Sequence, residues 1–342
     1  MSKIIVTGGC GYIGAHTTIA LIEQGYQVVI FDDLSNASKD SISRIEKITG
    51  TRPELLVVDL KDKNKTTAAF EVHGDASAVI HFAAYKAVKE SVEQPLSYYE
   101  NNLFSLINTL VAQQKFGIKN FIFSSSATVY GVPESCPVTE DSPVHRPFAP
   151  YGNTKKIAEE ILEDYSTAHP DFSTISLRYF NPIGAHESGD IGELPNGVPN
   201  NLMPYITQTA VGLREKLMVF GDDYPTKDGT AVRDYIHVMD LAEAHVVAVD
   251  RLVHKKQDKN FEFYNLGTGT GYTVMEVIKA FETQNNLSLT HEITARREGD
   301  VPVVFASTEL AKNKLGWSAK RDLNSMVKSA WNWEKNYRKG NS

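Results

Sequence analysis

The sequence predicts an α/β fold: a doubly wound parallel sheet with a smaller mixed α/β lobe following it in the chain. Three observations carry this. Short, wholly apolar runs alternate with helical patterns through the first half, as strands buried on both faces should read. The opening β-branched run breaks into regularly spaced glycines before a helix. Beyond about residue 180 the alternation stops and short mixed elements take over. A sheet wound in this way leaves a ligand crevice at the carboxyl ends of its strands.

The first strand leads into Thr7-Gly-Gly-Cys-Gly-Tyr-Ile-Gly14, with an apolar helical pattern after it (Ile13, Thr17, Ala20, Leu21). Each glycine has a task. Gly8 permits the turn, Gly11 lets backbone approach a pyrophosphate, and Gly14 lets the helix pack closely. The helix N-terminus offers free N–H groups to phosphates. The next strand, Gln27-Val-Val-Ile-Phe31, ends in Asp32, placed to accept from ribose hydroxyls and to repel a 2′-phosphate. A Rossmann-type dinucleotide site for NAD, rather than NADP, is the expectation.

Leu55-Leu-Val-Val-Asp59 and Ala78-Val-Ile-His-Phe82 read as the following buried strands, with a crossover helix over about 62–72 between them. A longer helix is expected over about 95–116, with Leu103, Leu106, Ile107, Leu110 and Val111 on one stripe. That stripe suits either packing inside the sheet layer or a dimer contact. Asn120-Phe-Ile-Phe-Ser124 is the next strand, then a helix from Tyr151 to about 168 and a strand at 174–179. From Asn181 to Pro204 prolines, glycines and asparagines dominate, and such a loop is more often functional than idle. Beyond it the pattern predicts a strand near 218–220, a helix after Asp240, a strand at 263–266, and helices over about 273–283 and 323–337. The division is placed at residues 1–180 for the dinucleotide-binding domain and 181–342 for a second lobe, interleaved with late strands of the sheet.

Composition narrows the function classes. The 342 residues are 42% hydrophobic and 23% charged with a net charge of −7, and no basic cluster favours nucleic acid. Two unrelated cysteines, Cys10 and Cys136, suggest neither a disulfide framework nor a metal site. The chain runs straight into a strand, and no apolar run approaches the roughly 18 residues of a membrane span. A soluble, cytoplasmic protein with no membrane or nucleic-acid partner is expected.

Tyr151-Gly-Asn-Thr-Lys155 follows Pro150, a residue suited to a helix start. Four apart, the tyrosine and lysine share one face. An ammonium about 5 Å from the phenol, at an effective dielectric of about 20, favours phenolate by roughly 3 kcal/mol, or about two pKa units. A general base results. Ahead of it, Ser124-Ser-Ser-Ala-Thr-Val-Tyr-Gly131 places hydroxyls at the carboxyl end of a strand, where they can hold a substrate oxygen.

These motifs resemble the extended short-chain dehydrogenases/reductases. Arg178-Tyr-Phe-Asn-Pro182, Asn200-Asn-Leu-Met-Pro204, Arg233-Asp-Tyr-Ile-His-Val238, Asn265-Leu-Gly-Thr-Gly269 and Arg296-Arg-Glu-Gly-Asp300 narrow the resemblance to the UDP-glucose 4-epimerase (UDP-galactose 4-epimerase) family over essentially the whole chain. The resemblance implies NAD-dependent C4 epimerisation of UDP-glucose and UDP-galactose through a 4-keto sugar, by a homodimer. It implies Tyr151 as base, Lys155 as its modulator and Ser126 as partner of the 4-hydroxyl. It further implies NAD contacts at Gly8, Gly11, Tyr12, Ile13, Gly14, Asp32, Asn36, Asp59, Leu60, Phe82, Ala83, Lys86, Asn101, Ser124 and Phe180, besides Tyr151 and Lys155. The UDP-sugar would meet Ser126, Asn181, Asn201, Leu202, Phe220, Arg233, Tyr235, Arg297, Asp300 and Val304. Tyr85, Lys89, Met218 and Ser307 depart from the family pattern without removing a catalytic group.

Two rival readings use the same scaffold: a sister reaction on a nucleotide sugar, and a non-catalytic protein that binds NAD. A 4,6-dehydratase needs an acid/base pair to expel the 6-hydroxyl, typically Asp-Glu beside the active-site threonine, and those places here read Ser126-Ala127-Thr128. A UDP-glucuronate epimerase or decarboxylase shares the fold. A non-catalytic NAD-sensing protein would usually lack the tyrosine or lysine, and both are present. Val304 falls where a bulky aromatic in the family restricts space near C2 of the hexose; a small residue leaves volume for an N-acetyl group.

Overall fold

The computed structural model describes residues 2–297 and 299–340. Its larger sheet has seven parallel strands. Six come from the first half: β1 (Lys3–Thr7), β2 (Gln27–Asp32), β3 (Glu54–Val57), β4 (Ala78–His81), β5 (Asn120–Ser126) and β6 (Ser173–Tyr179). β7 (Asn181–Ile183), β8 (Leu217–Phe220) and β9 (Val232–His237) leave this sheet, and β10 (Phe261–Leu266) returns to pair with β6 at its edge. The order is β10-β6-β5-β4-β1-β2-β3. Strand order reverses between β1 and β4, so the crevice opens at their carboxyl ends.

Alternate side chains of each strand feed two cores. Ile4, Val6, Val28, Ile30 and Ile80 point to one face, packed by α1 (Tyr12–Glu23), α2 (Asp40–Thr49) and, later, α8 (Val238–Val253). Ile5, Val29, Phe31 and Val79 point to the other, covered by α3 (Lys63–Val72), α5 (Pro95–Phe116, preceded by the short α4, Val88–Glu93) and α6 (Pro150–Ala168). The second lobe holds α7 (Leu202–Ala210), α9 (Val274–Asn285), α10 (Leu323–Gly340) and the short strands β11 (Gly271–Thr273), β12 (His291–Thr294) and β13 (Val303–Val304). β9 is its spine, flanked by β7, β11 and β13, while β12 pairs with β8.

The structure corrects several local expectations. The stripe on α5 is divided: Leu106 and Leu110 are buried, whereas Ile107 and Val111 are each 40% exposed, beside Phe104 at 53%. At 100° per residue those five positions span too wide an arc for one contact. Helix α8 begins at Val238, two residues before Asp240, because His237 Nδ1 accepts from Met239 N at 3.1 Å and caps it. Helices α2 and α7 were not foreseen. Ile42, Ile45 and Ile48 recur every third residue in α2, which ends at Gly50 in the left-handed region (φ 70°); the mainly polar composition hid that signal.

Candidate active site

Most of the expected cofactor groups follow carboxyl ends of successive strands: Gly8–Gly14 after β1, Asp32 and Asn36 at β2, Asp59 and Leu60 after β3, Phe82, Ala83 and Lys86 after β4, Ser124 in β5, Phe180 after β6; Ser126, expected at the sugar hydroxyl, ends β5. Asn101 comes from α5, where it is buried and donates to Asn102 Oδ1 at 3.0 Å. Gly8 has φ +68°, and a Cβ there would press on the Ala83 backbone at 2.8 Å. Gly14 meets the turn itself rather than the strand: a Cβ would collide with the Gly8 carbonyl oxygen. At Gly11 an added Cβ would meet only that carbonyl, at 3.3 Å, and no side chain caps α1. A backbone cradle over a free helix N-terminus therefore lies open to an anion.

Asp32 is buried at the rim of this cradle and accepts from Cys10 N and Leu34 N, each at 2.9 Å. Burial holds its carboxyl above the usual range, against those two hydrogen bonds. Tyr12 Oη donates to Gly184 O at 2.7 Å, so α1 is tied to the segment after β7. Ile13 packs on the core, and Phe82 lies 4.8 Å from the His245 ring. Asn36 accepts from Asn196 Nδ2 at 3.3 Å, and Asp59 from Lys61 N at 2.9 Å.

Tyr151 and Lys155 occupy the first turns of α6, behind Pro150. Lys155 is buried and its Nζ donates to Ser124 O at 2.6 Å, 4.9 Å from the Phe123 ring and 6.0 Å from the Tyr151 ring. Ser126 lies beside the Tyr151 phenol, and its hydroxyl accepts from Thr128 Oγ1 at 3.0 Å. Ser125 faces away and donates to Glu159. The expected depression of the phenol is not produced by the protein groups. Burial pushes Tyr151 up, with the Ser126 bond opposing it, and pushes Lys155 down to about 7, with the Glu159 charge opposing it. Desolvation outweighs the opposing interaction at each group.

The second lobe gathers the other expected residues. Asn181 and Tyr235 are partners across β7 and β9, the first exposed and the second buried. Arg233 Nη1 donates to Val232 O and Val301 O, each at 2.8 Å, and Nη2 to Asp300 at 3.2 Å. Arg297 lies 4.0 Å over the Phe220 ring. Val304 pairs with Arg233 across β13 and β9 and packs on the cluster of Val129, Tyr130, Val138, Phe180 and Ala306. Asn201 and Leu202 start α7.

One residue that sequence reasoning missed joins the two sets. Glu193, 10% exposed, accepts from Lys86 Nζ at 3.3 Å and from Asn201 Nδ2 at 2.7 Å. It lies in the proline- and glycine-rich segment singled out above; a lone acidic residue there was the available signal. Trp333 Nε1 anchors its backbone carbonyl at 3.0 Å.

Comparison with known proteins agrees with this geometry. The family model described as GDP-mannose 4,6 dehydratase matches residues 5–330. The chain is 51% identical to UDP-glucose 4-epimerase of Bacillus subtilis, over 97% of this chain and 96% of that one. It is similar to the crystal structure of UDP-glucose-4-epimerase from Stenotrophomonas maltophila with bound NAD and formylated UDP-arabinopyranose: TM-score 0.95, 45% identity, 99% of this chain and 100% of that one. The Bifidobacterium longum UDP-glucose 4-epimerase in complex with NAD+ and UDP gives 0.94 and 44%, with the same coverage.

Proposed function

Because the chain belongs to the UDP-glucose 4-epimerase family of extended short-chain dehydrogenases/reductases, we propose that it interconverts UDP-galactose and UDP-glucose with NAD as bound cofactor. The observation that supports this is that Ser126, with Tyr151 and Lys155 near it, lies at the carboxyl end of β5, the same end of the parallel sheet that carries the glycine cradle after β1. Conversion of UDP-galactose to UDP-glucose without added reductant tests it; a requirement for stoichiometric NADPH would overturn it.

The cradle fits NAD on this protein's own geometry: an open backbone turn, an uncapped helix N-terminus, and Asp32 with backbone N–H groups and Asp33 as neighbours. Gly8, Gly11 and the start of α1 would hold the pyrophosphate, and Asp32 the adenosine ribose. When bound, NAD+ supplies a two-electron acceptor for C4 and a positive charge. Tyr151 takes the proton of the 4-hydroxyl and returns it, while Ser126 holds that oxygen. Lys155 supplies positive charge beside the phenol. Arg233, Arg297, Asp300, Asn181 and α7 grip the UDP half, and the 4-keto hexose presents either face. Firm hold on the nucleotide and loose hold on the sugar are what inversion requires.

Dehydration is disfavoured because Ala127, next to Thr128, carries no acid or base. The division of labour we propose assigns NAD to residues 1–180 and the UDP-sugar to 181–342, in a cytoplasmic homodimer. Among the described residues no helix is long and apolar enough to cross a membrane. The small Val304 extends the substrate range to UDP-N-acetylhexosamines.

A further inference from the structure

The helix bearing Tyr151 and Lys155 carries a third ionisable group on the same side. Positions 151, 155 and 159 of α6 are about one turn apart, so their side chains form a row. Glu159 is buried, and a buried carboxylate persists only where partners replace its water. Ser125 donates to Oε1 at 2.6 Å, and Arg178 donates to Oε1 from Nε at 3.0 Å and to Oε2 from Nη2 at 2.7 Å. Arg178 is itself fixed: Nη1 donates to Tyr130 Oη at 2.9 Å, and its guanidinium lies 4.1 Å from the Phe263 ring. Tyr130 donates to Asn265 Oδ1 at 2.7 Å, and Asn265 Nδ2 donates to Val138 O at 3.0 Å. The carboxylate stands at the end of a tethered chain and cannot swing away.

A buried ion pair is weak evidence for stability, since apolar residues of like volume often serve a core as well. What this one offers is a negative end fixed one turn from Lys155. We propose that Glu159 is a positioning residue: anchored by Ser125 and Arg178, it keeps the Lys155 side chain an ammonium directed at Ser124 O and Tyr151. This rests on the reading of Tyr151 as the base.

The other titratable groups around this site are His81 from β4, Tyr98 from α5 with Glu90 of α4 on its hydroxyl, and Tyr179 from β6. Burial drives His81 down to about 3 and both phenols up, so these three are uncharged at neutral pH. With Lys155 at about 7, phenol with amine and phenolate with ammonium compete for one proton. Loss of the neighbouring negative charge favours the amine.

Glu159→Gln preserves size and removes the charge. The acid limb of the pH–rate profile should move about one unit toward acid, and kcat should fall about tenfold as the phenolate–ammonium form is depleted to the same extent. KM for the UDP-sugar should stay unchanged. Glu159→Asp, which keeps the charge, should hold the wild-type profile. A readout without turnover is the ultraviolet tyrosinate signal of the NAD+-loaded protein at neutral pH, with Tyr151→Phe as blank; it should shrink in Glu159→Gln. Where that variant does not fold, Glu159→Gln combined with Arg178→Met removes the unpaired arginine, and its profile must still lie on the acid side of wild type. A lowered melting temperature with an unshifted profile and intact tyrosinate signal would leave Glu159 a packing role and overturn the proposal. Wild-type protein unable to interconvert the two UDP-hexoses would instead remove the underlying reading, which the tyrosinate titration distinguishes.

Discussion

Tyr151 shows how far a single residue can be read from spacing and where coordinates are needed. Its lysine at i+4 was legible because the helix period fixes that geometry. The direction of its pKa was not, because burial depends on side chains brought from other strands. Tyr151→Phe should retain UDP binding by calorimetry but lose about 10²–10⁴ in turnover, the range for a positioned general base; near-normal turnover would refute the assignment. Asp32 carries two tasks, charge at the ribose position and acceptor for Cys10 N and Leu34 N. Asp32→Ala removes both and should empty the site. Asp32→Asn keeps an acceptor, so it should retain dinucleotide while admitting NADP, read as the NAD:NADP ratio released by acid. Continued exclusion of NADP would mean that another group discriminates. Val304→Tyr should abolish turnover of UDP-N-acetylglucosamine while UDP-galactose turnover survives; wild-type protein inert toward the acetylated sugar would mean the pocket is closed elsewhere. Glu159 and Glu193 escaped sequence reading because most of their partners, Ser125, Arg178 and Lys86, lie far along the chain.

At the scale of elements, the long and strongly patterned ones were legible. Strands β1 to β6 were each expected where they occur, most of them from short apolar runs, and α5 and α6 from long helical stretches. The shortest strands of the second lobe, β7, β11 and β13, were not, since runs of two or three residues carry no period, and their pairing with β9 is wholly non-local. Helix α5 adds a prediction. Leu96, Phe104, Ile107 and Val111 form an exposed apolar edge, joined by Val88 and Val92 of α4. Contiguous apolar surface of this kind marks a protein–protein contact. Light scattering after gel filtration should give a dimer for the wild type and a monomer for Ile107→Glu with Phe104→Glu. A wild-type monomer at micromolar concentration would exclude this face as an interface.

The whole molecule inherits a pH dependence from histidines that it buries neutral. His16 and His245 are pushed down to about 4, and His81 and His237 to about 3, chiefly by burial. Below pH 6.5 the unfolded chain takes up protons at these sites and the folded chain does not. Stability therefore falls as pH drops from about 6.5 toward 4, with a slope of up to about 1.4 kcal/mol per pH unit for each histidine. Asp32, Asp234 and Glu140, raised by burial, act in the opposite sense. Urea midpoints at pH 7.5 and 5.5 should differ clearly, and equal midpoints would show that these histidines titrate normally. The edge strand β10 has a consequence of another kind, in time. Strand β6 is complete at Tyr179, yet its outer neighbour is not made until Phe261–Leu266. At a synthesis rate of about 5–20 residues per second, the intervening roughly 80 residues take about 4–16 s to appear. Through that interval a nascent chain on the ribosome displays a strand edge with unpaired backbone groups, the kind that recruits a neighbouring chain. The yield of native protein in a cell should then depend on how fast this stretch is translated and on the holdase that shields β6 until its partner emerges.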